Sequence, residues 1–162
     1  MKKVIVFLII FSLLSGCTTK KHDTYSVKDL SYSVPSSWEY KSENGANYHY
    51  LSDGSMFFVS SENVGVSGND DADQTYKNLR SGYDGFISGT EDFKSVSENY
   101  DVINKKLEAS YYADYGNGKQ YVNFYTIIRE SDVYCLAFAG TSNSEKEQTK
   151  IFNDIIGTIK LD

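Results

Sequence analysis

Residues 120–140 read QYVNFYTIIRESDVYCLAFAG. Two runs rich in β-branched and aromatic residues, Gln120 to Glu130 and Val133 to Gly140, flank the polar pair Ser131-Asp132. Such runs on either side of a short polar turn are typical of two antiparallel strands joined as a hairpin. This stretch therefore predicts a hairpin of an antiparallel sheet.

Two further runs of the same character precede this hairpin. They are Phe93 to Ile103 and Lys105 to Tyr115, and the pair Asn117-Gly118 marks a turn before Gln120. Consecutive strands joined by short turns usually pair with their neighbours along the chain. Residues 93–140 are therefore predicted to form a four-stranded antiparallel meander.

The first half of the chain predicts more strands. Tyr25 to Leu30 and Ser31 to Val34 alternate apolar and polar residues, as half-buried strands do. Asn47 to Leu51 and Ser55 to Asn63 flank Ser52-Asp53-Gly54, whose Asp-Gly pair favours a tight turn. These four segments predict two strands near the start of the domain and a hairpin after them.

Two segments have helical periodicity instead. Asp70 to Ser88 places its apolar residues at helical spacing, although Gly82, Gly85 and Gly89 weaken the helix. Ser144 to Ile159 combines one apolar stripe with a start that has the pattern of a capping box. The chain is therefore predicted to be an α+β domain, with an antiparallel sheet of about six to seven strands covered by two helices.

The order of these elements and the segment Tyr32 to Trp38, YSVPSSW, resemble the PsbP-like domain. In that domain a strand ending in a Val/Tyr-Pro-x-x-Trp corner comes first, and a C-terminal helix closes the sheet. The resemblance spans Tyr25 to Asp162 and implies an α/β/α sandwich. Members have varied roles and most bacterial ones are not known as enzymes, so the resemblance implies fold more than function.

The start of the chain has the three parts of an export signal. Two lysines follow Met1, an apolar run extends from Val4 to Leu14, and small residues come next. A membrane-spanning helix needs roughly 20 apolar residues, so this run is too short to remain as an anchor. We expect residues 1–16 to be removed as a signal peptide.

Leu14-Ser15-Gly16-Cys17 resembles the lipobox of bacterial lipoproteins. The resemblance implies cleavage before Cys17 and attachment of a diacylglyceryl group to the Cys17 thiol, and two acyl chains anchor a protein stably. We therefore expect a lipid-anchored protein on the extracytoplasmic face of a membrane. Residues 17–24 would form a flexible tether, and residues 25–162 a single domain.

Charge and cysteine content exclude other classes of protein. The loss of Lys2 and Lys3 with the signal would change the formal net charge from −6 to −8. Phosphate backbones repel such an acidic domain, so nucleic-acid binding is not expected. With Cys17 carrying lipid, Cys135 has no disulfide partner, and its apolar strand favours a packing role over a reactive thiol.

Three sequence patterns could indicate a catalytic or metal-binding site. Asn69 to Asp73 is an acidic run. A calcium-binding loop that started at Asn69 would need Gly at its sixth position and Glu at its twelfth, where this chain has Gln74 and Arg80. Capping of a helix is therefore the favoured role of these acidic residues. Gly116 to Lys119 lacks the spacing of a phosphate loop. The strand position of His49 favours an exposed histidine over a general base. We expect no metal, no cofactor and no catalytic residue.

A ligand surface is the remaining hypothesis for the aromatic residues. Tyr121 and Tyr125 share one face of a predicted strand, as Tyr111 and Tyr115 do on the strand before it. The candidate ligand-binding residues are Trp38, His49, Tyr111, Tyr121 and Tyr125. Packing within the sheet or the core is the alternative for each of them.

Three functions remain compatible with the sequence. The first is a non-enzymatic binding or accessory module of the cell envelope, with an envelope protein or a small molecule as its partner. The second is a small-ligand-binding lipoprotein linked to transport, which would need a deep apolar pocket. The third is a small envelope hydrolase that uses His49 with a neighbouring carboxylate.

Overall fold

The computed structural model describes residues 21–63, 71–116, 118–140 and 144–162. The predicted export signal, Cys17 and Asn117 lie outside these ranges. The described residues form these elements: β1 His22–Val27, β2 Leu30–Pro35, β3 Glu39–Glu43, β4 Ala46–Tyr50, β5 Met56–Asn63, α1 Ala72–Ile87, β6 Glu91–Asp101, β7 Lys106–Asp114, β8 Lys119–Arg129, β9 Asp132–Gly140, α2 Glu145–Ile156 and β10 Lys160–Leu161. Within them, no helix has the length and apolar character needed to cross a membrane.

A seven-stranded antiparallel sheet forms the body of the domain. Its strand order is β3-β4-β5-β9-β8-β7-β6, so the predicted four-stranded meander and the α+β class are confirmed. The predicted hairpin around Asp53-Gly54 is also present, as β4 and β5. The hairpin of residues 120–140 turns at Glu130-Ser131, one residue earlier than predicted, with Glu130 in the left-handed region at φ 52°.

A second, three-stranded sheet is the main departure from the prediction of a single sheet. Its order is β1-β2-β10, and among the described residues none of its strands pairs with a strand of the larger sheet. β1 starts at His22, three residues before the predicted domain start at Tyr25, because His22 pairs with Pro35 of β2. The two-residue strand β10 joins through Lys160 and Leu161.

The larger sheet has a separate hydrophobic core on each face. Alternate side chains of its central strands point to opposite faces, as strand geometry requires. One core lies beneath α1 and contains Leu79, Tyr83, Leu107, Val122, Phe124 and Ala137. The other lies beneath α2 and the three-stranded sheet and contains Leu30, Tyr32, Phe57, Tyr125, Phe138, Phe152 and Ile155.

Both helices begin at a side-chain cap. The Asp71 carboxylate accepts a hydrogen bond from the Gln74 backbone N–H at 2.8 Å, so the capping interpretation of the acidic run is confirmed for this residue. Asn69 and Asp70 lie outside the described residues. Ser144 and Glu147 form the predicted capping box of α2. These caps fix where each helix starts on its face of the sheet.

Candidate functional site

His49 is buried in the core, so the prediction of an exposed histidine is wrong. Its Nε2 lies 2.8 Å from the Tyr32 hydroxyl, which also accepts a hydrogen bond from Asn47 Nδ2 at 3.1 Å. The Tyr32 hydroxyl and His49 Nε2 share one hydrogen bond, in which the tautomer of the imidazole decides the donor. Burial lowers the pKa of His49 to about 4. This neutral imidazole, partnered by a tyrosine, is not placed to act as a general base.

The other four candidate residues lie in different parts of the fold. Tyr111 is fully buried beneath α1, and its hydroxyl lies 2.8 Å from that of Tyr115. Trp38 is half-buried, stacked on the Phe138 ring at 5.8 Å between centroids. Tyr121 and Tyr125 line a groove on the α2 side of the sheet. The structure therefore does not bring the five candidates into one site.

Cys135 also lacks the environment of a reactive group. Its thiol faces α1 and lies 3.7 Å from the Thr126 hydroxyl. Burial raises the pKa of the thiol to about 11, which keeps it protonated at neutral pH. Within the described residues, no group of three or more His, Cys, Asp or Glu side chains could hold a metal ion.

An open cavity of about 490 Å³ lies beside α1, and we call it the aromatic groove. Among the described residues, the helix packs mainly over β7, β8 and β9, and it reaches β5 through the contact of Phe86 with Phe58. The groove is lined mainly by aromatic side chains, with one amide at its edge: Tyr48, Tyr50, Phe58, Phe86, Tyr115 and Gln120. Its volume lies within the usual range of ligand pockets, about 300 to 1,000 Å³.

Ring contacts hold these aromatic side chains in place. The Tyr48 and Tyr50 rings are stacked, 6.4 Å apart and 9° from parallel. Phe58 packs between Tyr48 and Phe86, at centroid distances of 5.2 Å and 5.4 Å. Phe86 in turn contacts the core residue Phe124 at 5.2 Å. The groove therefore has a preformed aromatic wall that is continuous with the core.

Among the described residues that line the aromatic groove, none is charged. Its polar groups are the Gln120 amide and the hydroxyls of Tyr48, Tyr50 and Tyr115. A charged ligand would lose hydration here without gaining a partner of opposite charge. The groove is therefore suited to an uncharged and mainly apolar ligand with one or two polar groups.

Two glycines of α1 differ in their surroundings. A Cβ at Gly82 would lie 3.4 Å from Cys135 Sγ, so close packing of the helix on the sheet explains this residue. A Cβ at Gly85 would have no atom within 4 Å. Packing therefore does not explain why position 85 is a glycine. A glycine inside a helix makes that helix less stable than an alanine would, by about 1 kcal/mol. Gly85 lines the aromatic groove and leaves its helical wall without a side chain.

Comparison with known proteins shows the fold. No protein-family profile matches the chain, and no curated protein matches it. The solution structure of a cyanobacterial PsbP protein from Synechocystis, CyanoP, has a TM-score of 0.56 and 10% identity, over 91% of this chain and 96% of that one. The PsbP-like fold implied by the sequence resemblance is therefore supported.

Two further solved structures are similar. A Bacteroides thetaiotaomicron protein matches at a TM-score of 0.51 and 15% identity, over 88% of this chain and 48% of that one. A Pseudomonas aeruginosa protein of unknown function matches at 0.50 and 14% identity, over 82% and 92%. At these identities the likeness concerns the fold alone.

Proposed function

We propose that the chain is a non-enzymatic binding module, held by lipid on the extracytoplasmic face of a membrane, whose aromatic groove binds an uncharged and mainly apolar small molecule. The lipobox resemblance at Cys17 supports the anchor and the location. The observation that carries the binding role is the preformed aromatic wall opposite Gly85.

The environment of the reactive side chains supports a binding role over catalysis. His49 is neutral and buried, and the Cys135 thiol is protonated at neutral pH. An enzyme using either group would need it near a substrate and with a pKa near the working pH. A hydrolase based on His49 is therefore not the function we propose.

We also assign the domain to an α/β/α sandwich of the PsbP type. In this assignment α1 covers one face of the seven-stranded sheet, and α2 together with the three-stranded sheet covers the other. Helix α1 packs mainly over β7, β8 and β9, and the space that remains beside it on this face of the sheet is the aromatic groove.

Fluorescence titration with Nile red, an uncharged planar dye, tests the proposal. The chain from Thr18 to Asp162 contains every described element and omits the predicted signal and lipid. We expect saturable binding that Gly85→Leu weakens by about tenfold or more, equivalent to ~1.4 kcal/mol, because the leucine fills the groove. Gly85→Ala is the matched control and should bind nearly as wild type. Equal binding by all three chains would contradict the proposal.

A further inference from the structure

A second groove, which we call the polar groove, lies on the opposite face of the sheet from the aromatic groove. It has a volume of about 400 Å³ between α2 and the strands β6, β7 and β8. Apart from Glu108, its polar lining consists mainly of these side-chain amides and hydroxyls: Ser97, Asn99, Ser110, Asn123, Thr149 and Asn153. We infer that this groove is a second binding site and that its ligand is a neutral saccharide. The inference does not depend on the proposed function.

Asn123 is the central observation. Its side chain lines the groove but is only 4% exposed. Its Oδ1 accepts a hydrogen bond from the Thr149 hydroxyl at 3.0 Å, whereas its Nδ2 has no partner among the described residues. A buried donor without a partner destabilises a fold, and a leucine of similar volume would avoid this. A ligand oxygen at the base of the groove would satisfy the amide.

The other groups of the polar groove match the hydroxyls of a sugar. An amide or hydroxyl offers a donor and an acceptor close together, as adjacent sugar hydroxyls require. The Ser97 and Ser110 hydroxyls already form such a pair, 2.7 Å apart. Tyr121 adds a half-exposed ring at the edge, packed 5.3 Å from the Tyr112 ring, on which the apolar face of a sugar ring can lie.

Charge and hydrogen bonding oppose two other ligand classes. Glu108 is the one charged residue among those lining the polar groove. An anion would meet this carboxylate with no cation beside it, so its binding would be opposed. An apolar ligand would leave the amides of Asn99, Asn123 and Asn153 without partners. A neutral molecule with many hydroxyls avoids both penalties.

Isothermal titration calorimetry of the full chain in detergent micelles tests this inference. The probes are three neutral trisaccharides (triacetylchitotriose, maltotriose and cellotriose) and one anionic comparator, trigalacturonate. We expect at least one neutral probe to bind and trigalacturonate to bind more weakly. If no neutral probe binds, or if trigalacturonate binds most tightly, the inference is wrong.

Substitutions inside and outside the polar groove test whether the saccharide binds there. Asn123→Leu is expected to weaken binding by about tenfold or more without lowering the melting temperature, because it removes an unsatisfied buried amide. Asn153→Ala, at an exposed position on α2, tests the same groove if Asn123→Leu does not fold. Lys150→Ala, exposed on the same helix outside the groove, is the control and should bind as wild type. Unchanged binding in both groove variants would overturn the inference.

Discussion

The His49 imidazole couples the stability of the domain to pH. Its pKa in the fold is about 4, against 6.5 for an unperturbed histidine, and the cause is burial. The unfolded chain therefore takes up a proton at a higher pH than the folded one. Stability from this group is complete above pH 6.5 and is lost as the pH falls towards 4.

We predict that the free energy of unfolding decreases by about 3 kcal/mol between pH 6.5 and pH 4 because of His49. In His49→Gln the glutamine oxygen can accept the Tyr32 hydroxyl proton, and the residue does not titrate. Urea unfolding of both chains across this pH range measures the difference. Identical pH profiles for wild type and His49→Gln would show that the imidazole is not buried as described.

Helix α1 is the element whose sequence bears most on the aromatic groove. Gly82 lies against Cys135, and Gly85 lies beside the groove with open space where a side chain would be. Helix propensity alone disfavours both glycines. Their different surroundings allow a test of which glycine serves packing and which leaves the groove open.

We predict opposite stability changes at the two positions. Gly85→Ala should raise the free energy of unfolding by about 0.5–1 kcal/mol, because it favours the helix and meets no neighbour. Gly82→Leu should lower it by about 1–3 kcal/mol, because its side chain would collide with the sheet at Cys135. Chemical denaturation measures both. A destabilised Gly85→Ala chain would contradict the open space seen beside that residue.

The elements that the sequence predicts best are those with a strong local pattern. Strands β8 and β9 contain long runs of β-branched and aromatic residues, and α2 has both an apolar stripe and a capping box. β3 could not be predicted in this way, because all five of its residues are exposed and neither face is apolar. β10 has two residues, too few for any periodicity.

The candidate sites depend on packing that no local pattern contains. Alternation predicts that Tyr48 and Tyr50 share a face of their strand, but which face a helix leaves uncovered depends on the position of α1. His49 has the same local pattern whether its face of the strand is exposed or covered. The three-stranded sheet covers that face, where Tyr25 and Tyr32 contact His49. Tyr121 and Tyr125 were predicted to share a face, and they do line one groove.

The whole molecule places two grooves of different chemistry on opposite faces of one sheet. The aromatic groove lies beside α1, and the described residues that line it are uncharged. The polar groove lies beside α2 and is lined by amides, hydroxyls and the Glu108 carboxylate. The predicted lipid on Cys17 would hold both near a membrane, since Lys21, the first described residue, is four positions along the chain. Four residues span at most about 14 Å.

We predict that Cys17→Ala releases the protein from the membrane. Without the thiol no diacylglyceryl group can be attached, and within the described residues no helix can replace it as an anchor. Fractionation of cells expressing each chain, followed by immunoblotting, measures the effect. A Thr18→Ala chain is the matched control and should stay with the membrane. Membrane retention of a Cys17→Ala chain from which residues 1–16 have been cleaved would show that lipid on this residue is not the anchor.

The aromatic groove as a ligand site is the central claim, and Met56 allows a direct test of it. Met56 lines the groove, and Met1, the other methionine, lies in the predicted signal. In the Thr18 to Asp162 chain, isotope labelling of methionine methyl groups gives one NMR signal from the groove and one from the added initiator methionine, an internal control. On addition of Nile red we predict a saturable shift of the Met56 methyl signal alone. If the dye binds and the Met56 signal does not move, the aromatic groove is not the ligand site.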